Sequence, residues 1–238
     1  MKINITKQDR EGLSKVFENF GRKKTEEEVF YDLVFCLFAP QTRFDNNIKV
    51  INKLRELNFY FKECQYYCDI RKLYDIIKPV RFYKNKTKYL LEAKKKFPEI
   101  LDVINDRVMI GTITTKIGGL PKLTSITFYD KREWLIANVK GMGYKTSSHF
   151  LRNIGDTTCA IIDTHIIKFL AEELCVTFGL TYEDAVKEFR KQATRKEGYL
   201  GLEKLFQNIA KQNGLSCAEL DSYLWKFYSG TSWEDFKY

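Results

Sequence analysis

Long stretches of this chain carry apolar residues at the three- and four-residue spacing of amphipathic helices, and only four prolines interrupt them. A chain that rarely stops can bury its apolar side chains only by packing helix on helix, so an all-α fold is expected. Thr25 and Glu28 form a capping-box pattern ahead of a helix over Glu26–Phe38, with Val29, Leu33, Phe35 and Leu37 on its apolar face. The same period marks helices over 45–57, 86–97, 131–139, 145–153, Thr164–Leu174, 182–193 and 201–212. Ser216 and Glu219 cap a last helix that runs to about Phe227. Between Asp106 and Asp130 the chain turns β-branched and glycine-rich, which predicts a loop or short hairpin inserted among the helices.

These elements predict two helical lobes with a cleft between them. One spans 25–160 and is of six-helix type, with a helix-hairpin-helix at about 134–153. The other is formed by both chain ends, 1–24 plus 161–238. A net charge of +9 favours an acidic partner, nucleic acid first and an anionic membrane surface second. No apolar run approaches the roughly 20 residues of a membrane span, and the first ten residues are polar rather than signal-like. An intracellular protein is expected, nucleoid-associated if the source is prokaryotic, and its six cysteines should be thiols. Cys36, Cys159 and Cys175 sit in apolar runs, as core cysteines do. Cys64 and Cys68 lack the second pair or nearby histidines that a four-ligand metal site needs, so neither metal nor cofactor is expected.

The most informative stretch is Val139-Lys140-Gly141-Met142-Gly143-Tyr144-Lys145, a Gly-x-Gly turn between two helices. Such a turn lets the backbone come close to another molecule. With the N-terminus of the following helix it aims N–H groups at an anion such as a DNA phosphate. Gly141, Gly143 and Lys140 are therefore candidate DNA contacts. Lys145 stands in the first turn of that helix. An ordinary lysine is almost wholly protonated at neutral pH, and only the neutral amine attacks carbon. The positive helix end, with partial burial, would favour the neutral form. A phosphate-contacting lysine is the competing reading. Asp163 follows Ala160-Ile161-Ile162 and opens a further helix, where it can cap, or return to the cleft and support a cationic sugar.

Several pieces in chain order resemble the helix-hairpin-helix DNA glycosylase superfamily, in particular its compact type 2 branch of archaeal and thermophile 8-oxoguanine DNA glycosylase/lyases. They are Arg81-Phe82-Tyr83-Lys84, 138–145 with 149–153, Ala160-Ile161-Ile162-Asp163 with His165, and Leu220-Asp221 with Tyr223-Leu224-Trp225. The resemblance implies that Lys145 forms a Schiff base with the deoxyribose, assisted by Asp163, and that β-elimination then cleaves the strand. It implies double-stranded DNA with a flipped, damaged base as the partner, no iron–sulfur cluster, and a monomer. Phe82 and Trp225 fall where the family stacks its base. His149, one turn beyond Lys145, is a further pocket candidate. Gln41, in the Ala39-Pro40-Gln41-Thr42 turn, is placed to fill the gap left by the flipped base, and Arg81 and Lys84 to follow the backbone.

Two departures bear on specificity. The relatives end in a lysine soon after the residue matching Trp225, whereas this chain runs on to Tyr238 with Lys237 as the available substitute. The 106–130 insert has no counterpart in them. Oxidised pyrimidines or bare abasic sites are therefore alternative substrates, and a helix-hairpin-helix module that binds DNA without catalysis is the alternative of a different class.

Overall fold

The computed structural model describes residues 3–61, 70–106, 116–117, 120–121, 127–230 and 232–233. Among them the chain is helical: α1 (Lys7–Gly21), α2 (Glu26–Phe38), α3 (Phe44–Glu56), α4 (Ile70–Ile77), α5 (Tyr83–Lys95) and α6 (Phe97–Ile104). After the insert come α7 (Phe128–Asn138), α8 (Tyr144–Asn153), α9 (Thr164–Leu174), α10 (Tyr182–Gln192), α11 (Lys196–Gln212) and α12 (Cys217–Ser229). No described helix is long and apolar enough to cross a membrane. Helices α1, α4 and α6 escaped the sequence reading, although Thr6 and Asp9 give α1 a capping box of its own.

Two compact units result: 24–150, and Met1–Lys23 with Leu151–Tyr238. The second boundary falls at 150/151, inside α8, where the sequence placed it at 160/161. The reason is that 151–162 is bonded into the terminal unit. Arg152 pairs with Asp221 of α12, both buried. The Ala160 N–H donates to Glu203 (2.9 Å) and the Ile162 N–H to the Tyr199 hydroxyl (3.1 Å). Side chains of α11 thus satisfy the backbone of a buried extended run.

In the 24–150 unit, α2 is the axis. It buries Val29 through Tyr31 and Leu33 through Phe38, so it is apolar all round rather than on the one expected face. Helices α3 and α5 pack on it. Phe30 meets Phe59 and Phe97 at 6.1 and 5.1 Å between ring centres. The described part of the insert is a two-residue antiparallel pairing of β1 (Lys116–Ile117) with β2 (Leu120–Pro121). The insert ends earlier than expected, because Thr127 and Asp130 form a capping box that opens α7 at Phe128. Lys131 pins its base, pairing with Asp106 (3.0 Å) and donating to the Ile104 carbonyl (2.8 Å).

In the terminal unit α9 packs against α10, α11 and α12, and α1 against α12. Cys36 and Cys159 are buried as expected, whereas Cys175, just past the end of α9, is only half-buried.

Candidate active site

The hairpin is built as its glycines suggest. Helix α7 ends at Asn138, the Met142 N–H closes a turn on the Val139 carbonyl (3.1 Å), and α8 opens at Tyr144. Gly141 has φ +88°, and a Cβ there would lie 2.7 Å from the Tyr89 ring, so both backbone and packing require glycine. Gly143 is different. It is exposed and a Cβ would meet nothing within 4 Å, so no described residue demands glycine there. Met142 is buried and anchors the turn from within. Lys140 is exposed and pairs with Glu92 at 3.0 Å. A surface pair of this kind contributes at most about 1 kcal/mol, which a phosphate readily displaces.

Lys145 lies in the first turn of α8, where N–H groups have no helical acceptor. It is exposed, so the partial burial expected for it is absent. Behind it, Arg132 is buried and donates to the Ser148 hydroxyl (3.1 Å), and its guanidinium lies 5.2 Å from the Tyr144 ring centre. That fixes α8 on α7. His149 is half-buried and sits edge-on to Phe35 at 5.6 Å, a packing contact inside its own unit.

Phe82 and Gln41 share a second locus of the same unit. Phe82 is 54% exposed, the side-chain disposition a stacking surface needs, and the Arg81 guanidinium lies 5.0 Å from its ring centre. Both Phe82 (φ 59°) and Gln41 (φ 56°) adopt the left-handed conformation that non-glycine residues avoid. Lys84 is exposed beside them. The basic segment 78–96 does not present all its charges outward. Lys86 is buried, Lys94 lies 4.3 Å from the Phe59 ring centre, and Lys96 donates to the Asn138 carbonyl (3.0 Å). Lys78, Arg81, Lys84, Lys88 and Lys95 remain exposed for a backbone to follow.

In the terminal unit, Asp163 is the N-cap of α9. Its Oδ1 accepts from the backbone N–H groups of His165 (2.8 Å) and Ile166 (3.0 Å), and among the described residues Oδ2 accepts none. Capping therefore occupies one oxygen and fixes the carboxylate. The two readings of this residue are compatible. His165 stacks on Tyr228 at 5.7 Å, and the Tyr228 hydroxyl donates to Glu172 (2.7 Å). Trp225 is half-buried and rests, with Phe17 and Trp233, against Val16 and Phe20.

Sequence reasoning did not find the anchor of the tail. Trp233 covers Gly12 of α1, where a Cβ would strike its ring, and its Nε1–H donates to Asp9 Oδ1 (3.1 Å). Burial alone would raise the Asp9 pKa. Hydrogen bonds from Lys226, Thr6 and Trp233 outweigh that and hold it at about 2. Lys237, Cys64 and Cys68 lie outside the described residues.

Both the fold and the sequence have relatives among known proteins. The crystal structure of the Methanocaldococcus jannaschii 8-oxoguanine DNA glycosylase matches with a TM-score of 0.70 at 25% identity, covering 93% of this chain and 88% of that one. The sequence is 29% identical over 224 residues to an 8-oxoguanine DNA glycosylase/AP lyase of Korarchaeum cryptofilum, spanning 93% of this chain and 90% of the relative. It is 31% identical over 214 residues to the Fusobacterium nucleatum protein of the same name, spanning 89% and 84%. The family model for 8-oxoguanine DNA glycosylase, of helix-hairpin-helix type, matches residues 10–215. The chain belongs to this family.

Proposed function

We propose that the protein removes 8-oxoguanine from duplex DNA and cleaves the strand at the resulting site, with Lys145 as nucleophile and Asp163 as its assistant. The observation that carries this reading is an exposed lysine in the first turn after the hairpin, in a chain whose family spans 10–215. The neutral Lys145 amine attacks C1′ of the deoxyribose and the C1′–N9 bond breaks, the base leaving with its electron pair and taking up a proton. The sugar ring opens to a protonated imine on Nζ. Loss of a C2′ proton then expels the 3′ phosphate, and water releases the lysine. The free Asp163 oxygen supports the positive charge that develops on the sugar.

Gly141, Gly143 and Lys140 hold the backbone at the hairpin, and Arg81 and Lys84 extend that contact. Gln41 fills the stack. Phe82 offers the exposed ring for the extruded base, His149 is a further candidate of the same unit, and Trp225 is a candidate of the terminal unit. A structural neighbour from Methanocaldococcus jannaschii, solved with a 15mer containing 8-oxoguanine, has the same fold at a TM-score of 0.66.

Borohydride reduction should trap the wild type covalently on DNA containing 8-oxoguanine. Lys145→Gln should abolish trapping and lower strand cleavage by on the order of a thousandfold. A wild type that neither traps nor nicks such DNA overturns the reading. Oxidised pyrimidines, the alternative substrate, belong in the same panel. Faster excision of those would replace 8-oxoguanine as the substrate.

A further inference from the structure

Lys86 is buried in the 24–150 unit, yet among the described residues none of its hydrogen bonds goes to a carboxylate. Its Nζ donates to the Phe38 carbonyl (2.7 Å), the Pro40 carbonyl (2.7 Å) and the Thr42 hydroxyl (3.1 Å). All three protons are thereby used. The acceptors lie at the last residue of α2 and in the turn that leaves it, at the negative end of that helix. The Thr42 hydroxyl also accepts the Arg81 backbone N–H (3.3 Å). One buried amine thus ties the turn carrying Gln41 to the residue before Phe82, four positions ahead of Lys86 itself at the opening of α5.

The residues so tied are the strained ones. Four non-glycine residues among those described have positive φ: Gln41, Asn58, Phe82 and Asp106. Asn and Asp tolerate that conformation because short polar side chains bond locally, but Gln and Phe have no such relief. Strain of this kind persists only where the surroundings enforce it, and it collects where side chains must be aimed. Both side chains are exposed, so burial of their own does not explain the strain.

We propose that Lys86 is a positioning residue for lesion recognition, a buried clamp that holds the Gln41 turn and the Phe82 turn in fixed relation so that both side chains reach the DNA. This rests on the reading of Gln41 and Phe82 as DNA and base contacts. Lys86 touches no reacting atom. Its removal should therefore impair base extrusion and capture while leaving the Lys145 chemistry intact.

Lys86→Met removes the clamp. Thr42→Val, which keeps the volume and loses only the hydroxyl, is the milder variant and carries the test if Lys86→Met fails to fold. Two assays are compared: single-turnover excision of 8-oxoguanine from duplex DNA, and borohydride trapping on single-stranded DNA with a preformed abasic site. The second needs neither a base to stack nor a gap to fill. Excision should fall about tenfold or more in Lys86→Met and less in Thr42→Val, with trapping within about twofold of wild type. Adding either substitution to a Gln41→Ala/Phe82→Ala background should cost little more, because the clamp acts through those side chains. Unchanged excision, an equal fall in trapping, or effects that multiply in the combined variants would each overturn the proposal. Normal excision by Gln41→Ala/Phe82→Ala would instead remove the contact reading beneath it, separately from anything Lys86 does.

Discussion

Two places in the 24–150 unit solve the same backbone problem in opposite ways. At the hairpin the chain enters left-handed space through Gly141, and the room a side chain would need is filled by Tyr89 and Leu37. At the α2 exit and the α5 entrance it enters the same space through Gln41 and Phe82, whose side chains are exposed. Glycine is used where the protein itself occupies the space. A strained side chain stands where it is exposed, which is what the proposed contacts with DNA need. The hairpin is relaxed and presents backbone, whereas the other locus is held under strain and presents side chains. The first suits phosphates, which are alike at every step, and the second suits a base, which must be told from its neighbours.

Gly141→Ala is the largest expected break in this comparison. It combines a disfavoured φ with a 2.7 Å contact to Tyr89, and a loss of about 2–3 kcal/mol follows, read as a drop in thermal midpoint. Gly143→Ala should leave that midpoint unchanged and weaken DNA binding several-fold, since its Cβ would meet no described residue within 4 Å but would crowd a DNA backbone held at the turn. Equal stability losses at the two glycines would show that the second one also serves the fold.

The strained locus is expected to answer to pH. Burial pushes the Lys86 pKa down to about 8 from an ordinary 10.5. The unfolded chain therefore holds this proton more tightly than the folded one. The cost of burying the charge is full below about pH 8 and fades as pH rises toward about 10.5. Wild type should gain about 1 kcal/mol over Lys86→Met between about pH 7 and about pH 9, measured by denaturant unfolding of both. The groups Lys86 touches, two carbonyls and a hydroxyl, do not titrate in that range. A parallel pH dependence in the two proteins would show that burial does not perturb this amine.

The same contrast explains what could be read from the chain. Gly141-Met142-Gly143 announces its turn because only glycine fits at Gly141, and the Thr25–Glu28 and Ser216–Glu219 boxes announce helix starts because cap bonds are local. Asp163 was legible as a cap for the same reason, and its unbonded oxygen was not. Lys86 was invisible. In sequence it is one of many lysines on a basic helix, and only the fold brings it to Pro40, 46 residues away. Arg152 with Asp221 and Asp9 with Trp233 are likewise long-range pairs. Helices α4 and α6, eight residues each, are too short for periodicity to separate from loop.

Gln41→Gly and Phe82→Gly test the smallest and most diagnostic difference. Relief of left-handed strain is worth about 1–2 kcal/mol, and the greater freedom of unfolded glycine takes back about 0.5–1 kcal/mol. Each variant should therefore be more stable than wild type by roughly 0.5 kcal/mol, a rise of a degree or two in a chain of this size. Each should also lose excision of 8-oxoguanine from duplex DNA, because the exposed amide or ring is gone. Stability up with excision down is the signature of strain held for recognition. Were excision to survive while stability rose, the conformation at 41 and 82 would be an unselected cost, and the exposed Phe82 ring would need another explanation.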